Sequence, residues 1–355
     1  MQEVEKVFVQ HEKVLDYTKK LLMHYGLREG DANTVAANLL FANLRGLDTH
    51  GVMRLPTYLK RLELGLASKE ACPEVVKESG TFAVIDGHNG LGPVAGKLAM
   101  EIAIEKALEN TIGLTFVRNS QHYGSCAFYT MMAQAQNMVG FSTSNTAPLM
   151  APTGGKKRLI GNNPISFAAP TPEDMTFVLD IALSNVAGGK IMLAEKNGQS
   201  IPLGWALDKE GRPTTDARAG FSDGGLLLPV GAHKGYGMVV MLDVLCGILS
   251  GGVTSAKVLG TTDFKSQGNM GTCFMMAAIN VEHLMPVAEF KARMGEMITE
   301  IKTCPKAEGV QEILLPGEIE ARATVERTTN GIPITLPILH ELEELGRKAG
   351  IGSLA

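Results

Sequence analysis

His50 and Arg54, four residues apart in THGVMR, carry the chemistry that a small organic acid requires. On a helical turn this spacing puts both side chains on one face. A guanidinium grips a carboxylate through two parallel hydrogen bonds, and an imidazole beside it exchanges a proton with the adjacent hydroxyl or carbonyl oxygen. The pairing suits a 2-hydroxy acid. The ordinary alternative is an exposed ion pair between Asp48 and Arg54, with His50 merely following a cap. A second histidine, His122 in RNSQHYGSC, falls at the carboxyl end of an expected strand, where open α/β sheets place ligands, and Gly124 allows close backbone approach there. It fits equally well as a loop histidine bonded to a carbonyl.

Two further segments invite a ligand. Residues 145–170, NTAPLMAPTGGKKRLIGNNPISFAAP, are too long and too rich in Gly, Pro and Asn for a routine turn. Asn162 and Asn163 offer amide donors there, although turn chemistry alone explains each residue. His233 and Lys234 stand at an expected helix start with Gly235 and Gly237 in its first turn. A cation and exposed amides at such a place attract phosphate, whereas the glycines also fit close helix packing. By contrast, DGHNGLGP reads G-x-x-G-x-G through Gly87, Gly90 and Gly92, with Arg118-Asn119 where a ribose-binding acid belongs. A Rossmann phosphate loop is therefore not expected.

Composition narrows the classes. The 355 residues are 45% hydrophobic and 20% charged, with net charge -4, so the chain can bury a large core and shows no basic run for nucleic acid or an anionic membrane. Cys72, Cys126, Cys246, Cys273 and Cys304 form no C-x-x-C pair and no zinc spacing. Free thiols in a reducing cytoplasm are expected, with no metal. The N-terminus carries no recognisable targeting address. The apolar run 237–252 is too short to span a bilayer, holds Asp243, and is expected as a buried helix.

The elements that must position these residues follow from periodicity. Helices are expected through the first 75 residues, one of them capped by Asp31 and ended by Gly46, with Pro56 opening another. A β-α-β-α-β succession then runs through strands 82–86, 112–118 and 139–144 with helices 93–110 and 125–136, giving an at least partly parallel sheet. Further strands are expected at 164–170, 176–182 and 273–279, and helices at 235–249 and 286–303. The chain divides into a helical unit over 1–75, joined by the final helix in 330–355, and an α/β unit over 76–329.

Taken together, LRGLDTHGVMRLPTY, RNSQHYG, GGKKRLIGNNPISFAAPT, DIALSNVAGGKI, IPLGWALDKEGRPTTD, AHKGYGMVVMLD and LLPGE resemble the type 2 malate/L-lactate dehydrogenases, over nearly the whole chain. The resemblance implies a non-Rossmann α/β fold in which a mixed-sheet nicotinamide-binding domain packs with a helical domain, usually as a homodimer. It implies NAD, with NADP left open, and a small carboxylate substrate. Carried over by position, it makes His50 a proton donor, with Thr49 supplying a relay hydroxyl, and Arg54 a substrate-binding residue. His122 becomes either a proton acceptor or part of a cofactor loop with Tyr123 and Gly124. Thr146, Asp180, Ile181, Ala182, His233, Lys234, Pro316, Gly317 and Glu318 become cofactor contacts, and Asn162 a substrate contact. Malate and oxaloacetate are the expected pair, with lactate, sulfolactate, ureidoglycolate and diketogulonate as alternatives. A catalytically silent metabolite-binding protein is the rival from another class.

Overall fold

The computed structural model describes residues 5–355; the first four residues, which the sequence assigns to the helical unit, lie outside them. Strand β1 (Lys6–Val9) leads into α1 (His11–His24), α2 (Glu29–Leu44) and α3 (Leu55–Glu63). In α1, Val14, Tyr17, Thr18, Leu21 and Leu22 recur at helical spacing and are all buried, so the burial of one stripe selects the helix. Asp31 is not the cap of α2: that helix starts at Glu29, and Asp31 sits in its first turn, accepting from Arg28 Nε at 2.7 Å. Pro56 does lie in the first turn of α3.

Strands β2 (Glu74–Glu78) and β3 (Phe82–Asp86), helix α4 (Gly92–Asn110), strand β4 (Ile112–Ser120), helix α5 (Cys126–Ala135) and strands β5 (Met138–Ser144), β6 (Ile165–Ala168) and β7 (Val178–Ile181) follow. Helix α6 (Gly188–Lys196) precedes three two-residue strands, β8 (Ala206–Leu207), β9 (Pro213–Thr214) and β10 (Leu226–Leu227), which pair as a small separate sheet. Next come α7 (His233–Asp243), β11 (Thr272–Asn280), α8 (Val287–Thr303), α9 (Glu318–Asn330), β12 (Ile332–Thr335) and α10 (Leu336–Lys348).

The main sheet has seven strands in the order β2-β3-β4-β11-β5-β6-β7. Only β3 and β4 are parallel neighbours; β11 enters between β4 and β5, antiparallel to both. The sheet is thus mixed, and β4 and β5 are not adjacent. Helix α4 lies flat on it because Ala95, Ala99, Ala103 and Ala107 present a small-residue stripe. Contact is so close that a Cβ at Gly113 would lie 1.9 Å from the Ala103 carbonyl oxygen.

Antiparallel pairing of β1 with β12 returns the C-terminus to the N-terminal helices. One core accordingly joins Val14, Leu21, Leu39 and Leu59 with Ile332, Ile334, Leu339 and Leu342. Tyr17 fastens the arrangement by donating to the Leu342 carbonyl at 2.9 Å. The run 237–252 is not the buried helix expected from its composition. It forms α7 and a π-helical turn, Val244–Ile248, and leaves Met238, Met241, Val244 and Ile248 exposed.

Candidate active site

The segment bearing His50 is shaped by its neighbours on α2 and α9. Two tight 3-10 turns, Asp48–His50 and Val52–Arg54, replace the single helical face that the spacing suggested. Asn43 braces both: its Nδ2 donates to Asp48 at 2.7 Å and its Oδ1 accepts from the Val52 amide at 2.8 Å. Asp48 in turn receives both terminal nitrogens of Arg327 in α9, at 2.6 and 3.0 Å. The Asp48 to Arg54 ion pair does not form. Arg54 spends its Nε on the Thr49 carbonyl at 2.7 Å, and its two terminal nitrogens have no partner among the described residues.

His122 follows β4, immediately after an anchored residue. Gln121 accepts from Arg61 Nε at 2.6 Å and donates to the Leu66 carbonyl at 2.9 Å and to Asn89 Oδ1 at 2.5 Å. This anchorage brings His122 to His50, with 5.7 Å between ring centroids. Thr49 Oγ1 lies 3.1 Å from His50 Nδ1, and the Tyr58 hydroxyl lies 2.7 Å from His122 Nδ1. Each imidazole therefore has a hydroxyl on Nδ1 and an Nε2 with no partner among the described residues. Both rings are half-buried. Burial first, and the Arg54 cation second, hold His50 down to about 4. Burial likewise holds His122 well below the ordinary imidazole value, with Arg54 and His50 acting in the same direction.

The remaining sequence-derived positions separate into groups. Thr146 and Asn162 meet: the Thr146 hydroxyl donates to Asn162 Oδ1 and accepts from the Asn162 amide, each at 3.0 Å. Asn163 instead is a buried strut, accepting from the Thr146 amide and donating to the Val239 carbonyl. The Asn162 carbonyl accepts from Leu183 N and the Leu183 carbonyl from Val230 N, tying this loop to the start of α7. His233 and Lys234 are exposed there, preceded by Ala232 in a strained φ of +54°. Gly235 is there for packing, because a Cβ would come 1.8 Å from the Val230 carbonyl oxygen.

Asp180, near the end of β7, accepts from Ser125 Oγ and the Ala127 amide through one carboxylate oxygen, both at 3.0 Å, and so caps α5. Burial raises its carboxyl against the pull of those donors and of Arg45. Ile181 and Ala182 follow, exposed. The Val178 amide donates to the Pro316 carbonyl at 3.0 Å, which lays Pro316, Gly317 and Glu318 beside β7. The Glu318 side chain is committed to Lys302 at 2.7 Å and to the Leu315 amide.

Tyr123 and Gly124 both pack inward beside His122. The Tyr123 ring is stacked between Tyr129 and Phe274, and its hydroxyl reaches Cys126 Sγ at 2.6 Å. That side chain is core, so a ligand contact at this residue falls to its backbone. Gly124, at φ +82°, makes room for Asn38, whose Oδ1 would lie 1.8 Å from a Cβ.

Three residues escaped the sequence analysis. Tyr58 and Arg61 follow Arg54 at helical spacing on α3, and R-x-x-x-Y-x-x-R was the available signal. Arg45 is 5% exposed, its Nε is unpartnered, and it lies over the Phe41 ring. Among the described residues no group of three His, Cys, Asp or Glu is placed to hold a metal.

Comparison with known proteins bears on the chain and its fold as a whole. The chain is 40% identical to a malate dehydrogenase of Pyrococcus abyssi, over 98% of this chain and 96% of that one. It is 39% identical to an L-sulfolactate dehydrogenase of Methanocaldococcus jannaschii, over 95% of each. The solved malate dehydrogenase of Pyrococcus horikoshii OT3 superposes with a TM-score of 0.90 at 37% identity, covering 99% of both chains. Residues 9–343 match the malate/L-lactate dehydrogenase family. A mixed sheet, paired histidines beside an open guanidinium and near full-length similarity lead to one conclusion: the chain belongs to that family of nicotinamide-dependent dehydrogenases.

Proposed function

We propose that this dehydrogenase interconverts malate and oxaloacetate with NAD. The observation that carries the reading is Arg54: its terminal nitrogens are open beside two imidazoles whose Nε2 atoms are also open. That is a carboxylate clamp next to proton chemistry. The substrate carboxylate binds Arg54, and Asn162, held by Thr146, supplies a polar contact from the 145–170 loop. Carboxylate binding cancels the Arg54 cation, one of the two influences that depress His50, so the imidazole gains basicity as the substrate arrives. His50 then takes the hydroxyl proton in oxidation and returns it in reduction.

The residues present fit a dinucleotide. Lys234 and the amide end of α7 would hold its phosphates, and the second oxygen of Asp180 would accept from ribose hydroxyls. A carboxylate there disfavours an added ribose phosphate, which supports NAD over NADP. Bound, the cofactor supplies hydride exchange at the nicotinamide ring. The five cysteines are free thiols, which suits a reducing cytoplasm. A homodimer is proposed from the stripe Met238, Met241, Val244 and Ile248, spaced as one helix face and as much as 59% exposed at Ile248. Met241→Glu should shift the dimer to monomer in analytical ultracentrifugation.

Sulfolactate is the second reading, favoured by the nearly equal identity to the sulfolactate enzyme. Nicotinamide absorbance with oxaloacetate, sulfopyruvate and pyruvate tests both. The highest kcat/KM for oxaloacetate supports the proposal, the highest for sulfopyruvate replaces it with the second reading, and no oxidation of NADH by any of them refutes it.

A further inference from the structure

We propose that Tyr58 is a positioning residue that fixes the tautomer of His122, making it a permanent hydrogen-bond donor to the substrate oxygen and leaving proton transfer to His50. The proposal rests on the reading of His122 as an active-site residue. Its geometry starts with Tyr58, which is 2% exposed and has its hydroxyl 2.7 Å from His122 Nδ1. Among the described residues that hydroxyl has no other hydrogen-bond partner. A buried hydroxyl donates when an acceptor is in reach, and Nδ1 is the acceptor in reach. Nδ1 of the neutral ring must then be bare, and the ring proton sits on Nε2, the nitrogen left open.

His50 differs. Its Nδ1 contact is Thr49, which is exposed and can turn its hydroxyl to water, so neither tautomer of His50 is imposed.

The consequence for the reaction follows from proton accounting. In reduction of a 2-oxo acid the carbonyl carbon gains a hydride and the oxygen gains a proton. Were His122 to give up its Nε2 proton, either an imidazolate would remain or the Tyr58 proton would move to Nδ1 and leave a buried phenolate. Burial raises the Tyr58 hydroxyl above its ordinary value, with only Arg54 opposing, so the second route is closed as well. His122 therefore polarises the carbonyl without losing its proton, and the proton comes from His50. Helix α3 ties the two acts together, since Tyr58 stands one turn beyond Arg54.

Nitrogen-15 NMR of the imidazoles, in the full chain at neutral pH without substrate, tests the tautomer independently of any reaction. The expected result is a pyridine-type shift for His122 Nδ1 and a pyrrole-type shift for Nε2, with the two forms mixing in Tyr58→Phe. A pyrrole-type Nδ1 in the parent, or an unchanged tautomer in Tyr58→Phe, overturns the proposal. In kinetics Tyr58→Phe should lower kcat for 2-oxo acid reduction about tenfold, the worth of one hydrogen bond, with NADH affinity retained. An unchanged kcat also overturns it. Should the parent reduce no 2-oxo acid, the function assigned above fails while the NMR result still decides the role of Tyr58. If Tyr58→Phe does not fold, the parent spectrum alone decides.

Discussion

Replacing Arg54 by lysine should weaken substrate binding far more than turnover. In the structure Arg54 does two things at once: Nε holds the Thr49 carbonyl at 2.7 Å, and the two terminal nitrogens remain for a carboxylate. An ammonium has a single nitrogen and cannot span both tasks. If lysine bonds Thr49, the carboxylate loses its charged partner; if it turns to the carboxylate, two parallel bonds become one and the Thr49 turn loosens. Either outcome forfeits about one charge-assisted hydrogen bond, ~1.5 to 3 kcal/mol. At ~1.4 kcal/mol per tenfold this raises KM for the 2-oxo acid about 10- to 150-fold. Initial rates over a wide range of oxaloacetate, with NADH saturating, measure the change. Because the clamp grips ground state and transition state alike, kcat should stay within a few-fold. Fluorescence titration should show NADH affinity unaltered. An unchanged KM for every carboxylate tested refutes the assignment, and a fall in kcat alone moves Arg54 from gripping the substrate to orienting His50.

Lys234→Ala should raise the dissociation constant for NADH about tenfold, the loss of one phosphate contact, while KM for the oxo acid changes little; equal affinity in titration would remove Lys234 from the cofactor site. His50→Gln should cut turnover by the ~10²- to 10⁴-fold typical of general acid/base catalysis with folding and NADH binding retained, and loss of turnover at saturating cofactor in His122→Gln with His50→Gln still active would reverse the roles. Acid should destabilise the protein through both histidines: the unfolded chain binds their protons near 6.5 and the folded one holds His50 to about 4. Stability is therefore full above 6.5 and falls as pH drops toward 4, by at most ~1.4 kcal/mol per pH unit for each ring. Urea unfolding of His50→Gln between pH 6.5 and 5 should show a shallower fall than the parent, and identical slopes would contradict the burial of the ring.

Periodicity carried the long elements well, and its failures have physical causes. Strand 82–86 and helix 93–110 were legible because a stripe or an alternation of apolar residues is visible within one window. The pairing of β1 with β12 was not, since each has four residues and their partners lie at opposite ends of the chain. The insertion of β11 between β4 and β5 was hidden for the same reason: a buried strand states that it is covered, not which strands cover it. Composition misled at 237–252, where an apolar helix face left exposed looks the same in sequence as one turned inward. In the site, His50, Arg54 and His122 stood out by residue type. The burial of the Tyr123 ring was not legible because an aromatic beside a site histidine and an aromatic in the core are chemically alike; only the stacking against Tyr129 and Phe274 separates them. Tyr58 stayed hidden because its importance lies in a contact with a histidine far along the chain.

The chemistry sits on a seam, and the seam is built from α3. Arg54, the cap residue of α3, and Tyr58 and Arg61 within it succeed one another at helical spacing, and each reaches a different partner. Arg54 holds the His50 turn, Tyr58 holds His122, and Arg61 holds Gln121 together with the carbonyls of Thr261 and Asp263. Arg61 is a cation only 2% exposed, a costly group to bury unless its donors are met. Its three bonds offset that cost and peg the strand end before His122 to the helix that Arg54 caps. A 2-hydroxy acid needs its carboxylate and its reacting carbon fixed relative to one another within a fraction of an ångström. In the proposed reaction the carboxylate grip comes from Arg54 at the start of α3 and the second histidine from the end of β4. Their relative position depends on the Arg61 and Tyr58 contacts as much as on α3 or β4 alone, which is why residues without a proposed substrate contact stand beside those with one.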